Sequence, residues 1–118
     1  MTTNRTSGSA LVFSAGIGTW IELFVAGFQS AKTRVNYQAN LRAWFHWADG
    51  RGTDGLAAQR ADVEAHIRCL EQRGYAPNTI CQRVATLSSF YRSAVGEGRV
   101  AGNPVEGARC YAIATGDA

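Results

Sequence analysis

Residues 74–96 read GYAPNTICQRVATLSSFYRSAVG, and their spacing predicts an amphipathic helix. Apolar residues recur every three or four positions in this stretch, as they do along one face of a helix. The expected inward residues are Ile80, Val84, Leu87, Tyr91 and Val95. The proline at position 77 suits the start of the helix, because the first turn needs no N–H at that point. Glycines at positions 96, 98 and 102 and the Asn-Pro pair at 103–104 then close the unit.

Three further helices are predicted upstream of this stretch, separated by glycine and other turn residues. Their bounds are expected near Gly18–Gln29, Lys32–Ala48 and Ala61–Arg73. Ser30 is the expected N-cap of the second helix, and Gly74 is the expected stop of the third. Because no alternating strand pattern competes with these segments, we expect an all-α fold, a compact bundle of four main helices.

Each upstream helix has an apolar stripe that predicts which side chains face the core. The expected inward residues are Trp20, Leu23, Phe24 and Phe28 in the first helix, Tyr37, Leu41, Trp44, Phe45 and Ala48 in the second, and Val63, Ile67 and Leu70 in the third. A chain of 118 residues, 46% hydrophobic and 18% charged, can bury such a core as one domain. We place that domain at residues 16–107, after a flexible segment at residues 1–15.

The positions of cysteine and histidine predict no metal site. The cysteines at 69, 81 and 110 are odd in number, widely spaced and without a CxxC pair. Neither a signal peptide nor a membrane-spanning apolar run is evident, so we expect a cytoplasmic protein with reduced thiols and no membrane association. His46 and His66 lack partners at ligand spacing and are predicted to lie at the surface or its boundary. We expect no metal ion and no other cofactor.

The sequence also offers no catalytic motif. It contains no Walker A loop and no HExxH or GxSxG pattern. Tyr37 and Tyr91 lie on apolar stripes and are interpreted as core residues. None of the four tyrosines has a neighbouring basic cluster that would activate it as a nucleophile. We therefore assign no catalytic residue.

Polar and basic residues gather instead at the starts of the second and fourth helices. They are Lys32, Thr33, Arg34, Asn78, Thr79, Gln82 and Arg83. A helix N-terminus presents unpaired N–H groups and the positive end of the helix dipole, which suit a phosphate. A formal net charge of +3 and a pI of about 9.0 permit a nucleic-acid partner without requiring one. The residues alone leave two interpretations open, a DNA-contacting face or a solvated face with ordinary helix caps.

A series of short motifs runs through the predicted helices in a fixed order. The second helix contains Thr33, Tyr37 and Leu41, followed by Trp44, Phe45 and Trp47. Asp62-Val63 opens the third helix, and residues 74–80 read GYAPNTI at the turn into the fourth. Residues 82–104 then read QRVATLSSFYRSAVGEGRVAGNP. From about Trp20 to Gly107, this order resembles the N-terminal, SAM-like core-binding domain of tyrosine recombinases, the phage-integrase family.

The resemblance implies a bundle of orthogonal helical hairpins that grips duplex DNA at the core site of DNA recombination or integration. In that family the second and fourth helices face the major groove, which implies DNA contacts for Thr33, Thr79 and Arg83. The position and chemistry of four further residues add them to this predicted interface: Lys32, Arg34, Asn78 and Gln82.

The resemblance also implies that this chain binds DNA without cutting it. The family's tyrosine nucleophile, with its arginines, lysine and histidines, belongs to a separate catalytic domain, and Tyr111 does not match the context of that nucleophile. Residues 108–118 would then begin the linker to the catalytic domain. The expected partners are double-stranded DNA, the catalytic domain of the same parent protein and, in an assembled complex, other recombinase protomers.

Two alternatives accompany these expectations. As a whole, the chain could be a helical protein–protein interaction module that docks a partner through Trp20, Phe24 and Phe28. Arg83 could form a structural ion pair with Asp62 or Glu71 instead of contacting DNA. Salt separates the two functions, because binding to phosphates weakens steeply with ionic strength and apolar docking does not.

Overall fold

A computed structural model of the chain describes residues 16–107, and every regular element in that range is helical. The elements are α1 (16–26 within the described range), α2 (Ala31–Gly50), a short 3-10 helix (Gly55–Ala57), α3 (Arg60–Gln72) and α4 (Pro77–Gly96). The prediction of an all-α fold with four main helices is confirmed. The predicted flexible segment 1–15 and linker 108–118, with Cys110 and Tyr111, lie outside the described residues.

The described residues fall into two compact units, divided between Ala39 and Asn40 within α2. In the first unit, the rings of Phe24, Phe28 and Tyr37 form one aromatic cluster. The Phe28 and Tyr37 centroids lie 4.8 Å apart and those of Phe24 and Phe28 lie 5.4 Å apart, both in edge-on geometry. Edge-on packing places the positive edge of one ring against the negative face of the next. Tyr37 is therefore half-buried among aromatic rings.

The inward face of α1 differs from the predicted one. Ile17, Trp20, Ile21 and Val25 are buried, whereas Leu23 is 69% exposed. At about 100° per residue, Leu23 lies about 130° from the centre of the arc that the buried residues occupy. The expectation that Leu23 faces the core was therefore wrong, because Ile17 and Ile21 shift the apolar stripe to the other side of Trp20.

The core of the second unit follows the predicted stripes closely. The buried apolar residues of its helices are Leu41, Trp44 and Ala48 from α2, Val63, Ile67 and Leu70 from α3, and Ile80, Val84, Leu87, Phe90, Tyr91 and Ala94 from α4. Phe45 is half-buried. The prediction that Val95 points inward was wrong, because Phe90 and Ala94 continue the face at helical spacing and leave Val95, in the last turn, 39% exposed.

Hydrogen bonds link buried residues in the core of this second unit. Trp44 Nε1 donates to Tyr91 Oη at 2.8 Å, and the Tyr91 hydroxyl donates to the carbonyl of Gly55. The ring of Phe45 lies where a Cβ on Gly55 would stand, so this position requires glycine. Burial raises the pKa of Tyr91 well above its ordinary value, which keeps the hydroxyl protonated as a donor. These contacts tie α2 and α4 to the start of the 3-10 helix.

Glycines end the helices of the second unit, as the sequence predicts. After α3, Gly74 adopts a φ of 87°, and the Tyr75 N–H donates to the Leu70 carbonyl at 3.1 Å. This is the Schellman arrangement, in which a left-handed residue lets the chain satisfy the last carbonyls of the helix. Gly52 after α2 and Gly98 after α4 have the same sign of φ and the same six-residue hydrogen bond.

His66 is buried, against the expectation of a surface or boundary histidine. Only 4% of it is exposed, and its ring lies 4.7 Å from the Trp47 ring and 5.1 Å from the Trp44 ring between centroids. Burial, reinforced by the positive charges of Arg83 and Arg73, lowers the pKa of His66 to about 4. The imidazole is therefore neutral near pH 7. His46 is exposed, as expected.

The expectation of reduced thiols was wrong for Cys81, which is disulfide-bonded, and right for Cys69, which is free. A disulfide depends on the distance between two Cα positions in the fold, which cysteine spacing along the chain does not reveal.

Candidate nucleic-acid interface

The start of α2 is capped as predicted. The Thr33 N–H donates to Ser30 Oγ at 3.2 Å, and the Arg34 N–H donates to the Ser30 carbonyl at 3.0 Å. The Ser30 side chain thus satisfies one of the amide groups that a helix start leaves unpaired, and its carbonyl accepts the first hydrogen bond of the helix. Lys32 is exposed and Thr33 is half-buried.

The guanidinium of Arg34 has a structural contact that the sequence did not indicate. Its Nη1 donates to the carbonyls of Phe28, at 2.6 Å, and Gln29, at 2.9 Å. These carbonyls belong to the turn between α1 and α2, so Arg34 holds that turn in place. Arg34 therefore stabilises the fold, and a contact of its remaining N–H groups with DNA stays a prediction.

The start of α4 has no such side-chain cap. Ala76 occupies the N-cap position without a side-chain hydrogen bond, Pro77 follows, and the first turn contains no acidic residue. The first amide to donate along the helix is that of Ile80, to the Ala76 carbonyl at 3.0 Å. Within residues 16–107, the amides of Asn78 and Thr79 consequently have no backbone or side-chain acceptor. Such amides, at the positive end of the helix dipole, suit an anion.

The predicted side chains of α4 share the surface beside these amides. Asn78 and Gln82 are exposed, one turn apart, and Thr79 and Arg83, also one turn apart, are half-buried. Lys32, Thr33 and Arg34 lie in the first unit, whereas these four residues lie in the second, so the structure groups the predicted interface residues as two separate sets.

Arg83 stacks on an aromatic ring and does not pair with a carboxylate. The centre of its guanidinium lies 4.6 Å from the centroid of the Tyr75 ring. The carboxylate of Asp62 accepts from the Gln59 N–H at 2.9 Å and lies 3.9 Å from Arg51 Nη2. Among residues 16–107, Arg83 forms no ion pair, and the predicted alternative pairing with Asp62 or Glu71 does not occur.

Two residues beside this site, Arg73 and Tyr75, were not predicted from the sequence. The guanidinium of Arg73, the C-cap residue of α3, lies 5.7 Å from the same Tyr75 ring centroid. Tyr75 follows Gly74 in the turn between α3 and α4 and is half-buried. The sequence signal is an aromatic residue two positions after one arginine and eight before another. Its meaning depends on the turn that folds both arginines toward one ring.

Other chemistry is not evident in the described part of the chain. No group of three His, Cys, Asp or Glu residues within 16–107 could hold a metal ion. None of the helices described there is long and apolar enough to cross a membrane. Of the aromatic side chains proposed for docking a partner, Trp20 is buried, and Phe24 and Phe28 pack on Tyr37 within the first unit.

Comparison with known proteins identifies the family. The chain is 30% identical over 98 residues to the tyrosine recombinase XerC of Chlorobaculum parvum, a match that covers 73% of this chain and 29% of that protein. No solved structure matches the chain at a significant level. Residues 20–98 match the family described as phage integrase, N-terminal SAM-like domain. These 118 residues thus hold that N-terminal domain and not the catalytic domain of a recombinase. The chain belongs to the N-terminal SAM-like domains of the phage-integrase family of tyrosine recombinases.

Proposed function

We propose that this domain binds duplex DNA and positions a site-specific tyrosine recombinase on its core site, without catalysing strand cleavage itself. The observation that carries the proposal is the start of α4, where uncapped amides and an arginine without an ion pair in the described chain lie together. An uncompensated guanidinium beside free N–H groups favours a phosphate oxygen, since both form charge-assisted hydrogen bonds with it.

The exposed amides of the Asn78 and Gln82 side chains add the means to read sequence. Asn and Gln can hydrogen-bond to base edges when a helix start enters the major groove, whereas the phosphate contacts fix the register. Lys32 and Thr33, at the start of α2, supply a second set of contacts in the proposed interface. The domain then contributes affinity and some site preference.

The proposed partners beyond DNA follow from the family. A catalytic domain of the same parent protein performs the strand exchange, and other recombinase protomers share the DNA in an assembled complex. Such work takes place on chromosomal or phage DNA, so we propose a cytoplasmic location.

A salt titration tests the proposal. The 118-residue chain is titrated with duplexes that contain or lack the native core site, at several salt concentrations. If about four to six phosphates are neutralised, log K falls against log salt with a slope of about −4 to −5. Binding that is insensitive to salt supports apolar docking instead, and no binding to the core-site duplex at low salt rejects the proposal.

A further inference from the structure

The ring of Tyr75 is shared by two arginines that have no carboxylate partner in the described chain. The guanidinium centres of Arg83 and Arg73 lie 4.6 Å and 5.7 Å from the centroid of its ring. A cation over the face of a tyrosine ring within about 6 Å is attracted by the ring's quadrupole. One ring therefore orders two long, otherwise mobile side chains.

The charges of the same two arginines also reach a buried group of α3. Both Arg83 and Arg73 act on His66, which is buried on α3, and both favour its neutral form. The two guanidinium groups come from different segments, since Arg73 caps α3 and Arg83 lies in the second turn of α4. The turn thus concentrates two positive charges beside the uncapped start of α4.

The backbone of Tyr75, whose ring these arginines share, is anchored to the end of α3. The Tyr75 N–H donates to the Leu70 carbonyl at 3.1 Å, directly after the left-handed Gly74. The ring is therefore attached to the end of α3 rather than to a free loop. A fixed platform reduces the side-chain entropy that each arginine loses when it binds an anion.

We propose that Tyr75 is a positioning residue, and that it holds Arg73 and Arg83 as a pair for the phosphodiesters of one DNA strand. The inference rests on the proposed function and deepens it. It assigns Arg73 as a phosphate contact and gives Tyr75 a role that needs its ring and not its hydroxyl. Arg51 offers a contrast within the same unit, because it stacks on Trp47 at 4.7 Å but also lies 3.9 Å from a carboxylate oxygen of Asp62.

The test compares Tyr75→Leu with Tyr75→Phe in the salt titration of the 118-residue chain. Loss of the ring should weaken duplex binding about three- to tenfold, whereas phenylalanine should restore it, since the cation–π attraction needs only the ring. Tyr75→Leu should leave the salt slope nearly unchanged, because both arginines still reach the DNA. Arg73→Gln and Arg83→Gln should each reduce the slope by about one. Arg51→Gln is the matched control, and it should change neither the salt slope nor the affinity for the duplex.

A double-mutant cycle separates positioning from a general effect on folding. In the Arg73→Gln/Arg83→Gln background, Tyr75→Leu should have little further effect on DNA binding. The inference is overturned if Tyr75→Leu causes the same loss of DNA affinity with and without the two arginines. It is also overturned if the Tyr75→Leu chain binds DNA like the parent. In both cases the parent chain still binds DNA and the proposed function stands. A parent chain that binds no duplex rejects the proposed function itself.

Discussion

Arg83 is half-buried on α4, with its guanidinium over the Tyr75 ring. If it contacts DNA, Arg83→Ala should weaken duplex binding by about 1–3 kcal/mol. The melting temperature should change little, because the side chain forms no ion pair within residues 16–107. Arg92→Ala, which removes an exposed arginine further along α4, is the control and should have the smaller effect on affinity. A variant that melts much earlier and, while folded, binds like the parent would make Arg83 a structural residue.

The hydroxyl of Tyr91 is the polar link between the Trp44 indole and the Gly55 carbonyl. Tyr91→Phe keeps the ring but leaves a buried N–H and a buried carbonyl without this partner. We expect the free energy of unfolding to fall by about 1–3 kcal/mol in urea titrations. Tyr37→Phe is the matched control, since the Tyr37 hydroxyl has no hydrogen bond among the described residues. Equal stabilities for the two variants would show that the buried link contributes nothing.

At the scale of the helices, Leu87 represents the inner face of α4. It is 1% exposed, so Leu87→Ala leaves a cavity and should lower the free energy of unfolding by about 2–5 kcal/mol. Val95→Ala, on the same helix but at a more exposed position, should cost much less. Thermal and urea unfolding measure both. A Leu87→Ala chain as stable as the parent would contradict the burial of this face.

The helices were predictable because their signals are local. The apolar stripes of α3 and α4, the cap at Ser30 and the stop at Gly74 each depend on a few neighbouring residues. The stripe of α1 was misplaced because Leu23 lies three residues after Trp20, just as the buried Ile17 lies three residues before it, and spacing does not distinguish the two.

The parts of the site that could not be predicted from the sequence depend on contacts between segments. Nothing adjacent to His66 in the chain indicates that Trp44 and Trp47 cover it. Likewise, the stacking of two arginines on Tyr75 requires the turn between α3 and α4 to fold first. The seven predicted interface residues were chosen from helix position and family likeness, and their contacts with DNA remain predictions.

For the whole molecule, His66 makes stability depend on pH. The pKa of His66 is about 4 in the folded chain, against 6.5 for an ordinary histidine, so the unfolded chain binds the proton more tightly. The free energy of unfolding therefore has its full value, as far as His66 is concerned, above about pH 6.5. It falls as the pH drops toward 4, by no more than about 3 kcal/mol. His66→Phe should flatten the acid limb of the unfolding free energy, and His46→Gln, at an exposed position, should leave it unchanged. An acid limb of equal steepness in His66→Phe would place the cause elsewhere.

The glycine stops after α2, α3 and α4 also bear on how fast the chain folds. Each stop closes through hydrogen bonds within six residues, so the helix ends can form before any two helices meet. Helix–coil relaxation takes about 0.1–1 μs, and domains rich in local helical contacts fold in about microseconds to milliseconds. The rate is then set by the docking of helices that already have their native length, and no slow search for helix ends precedes it.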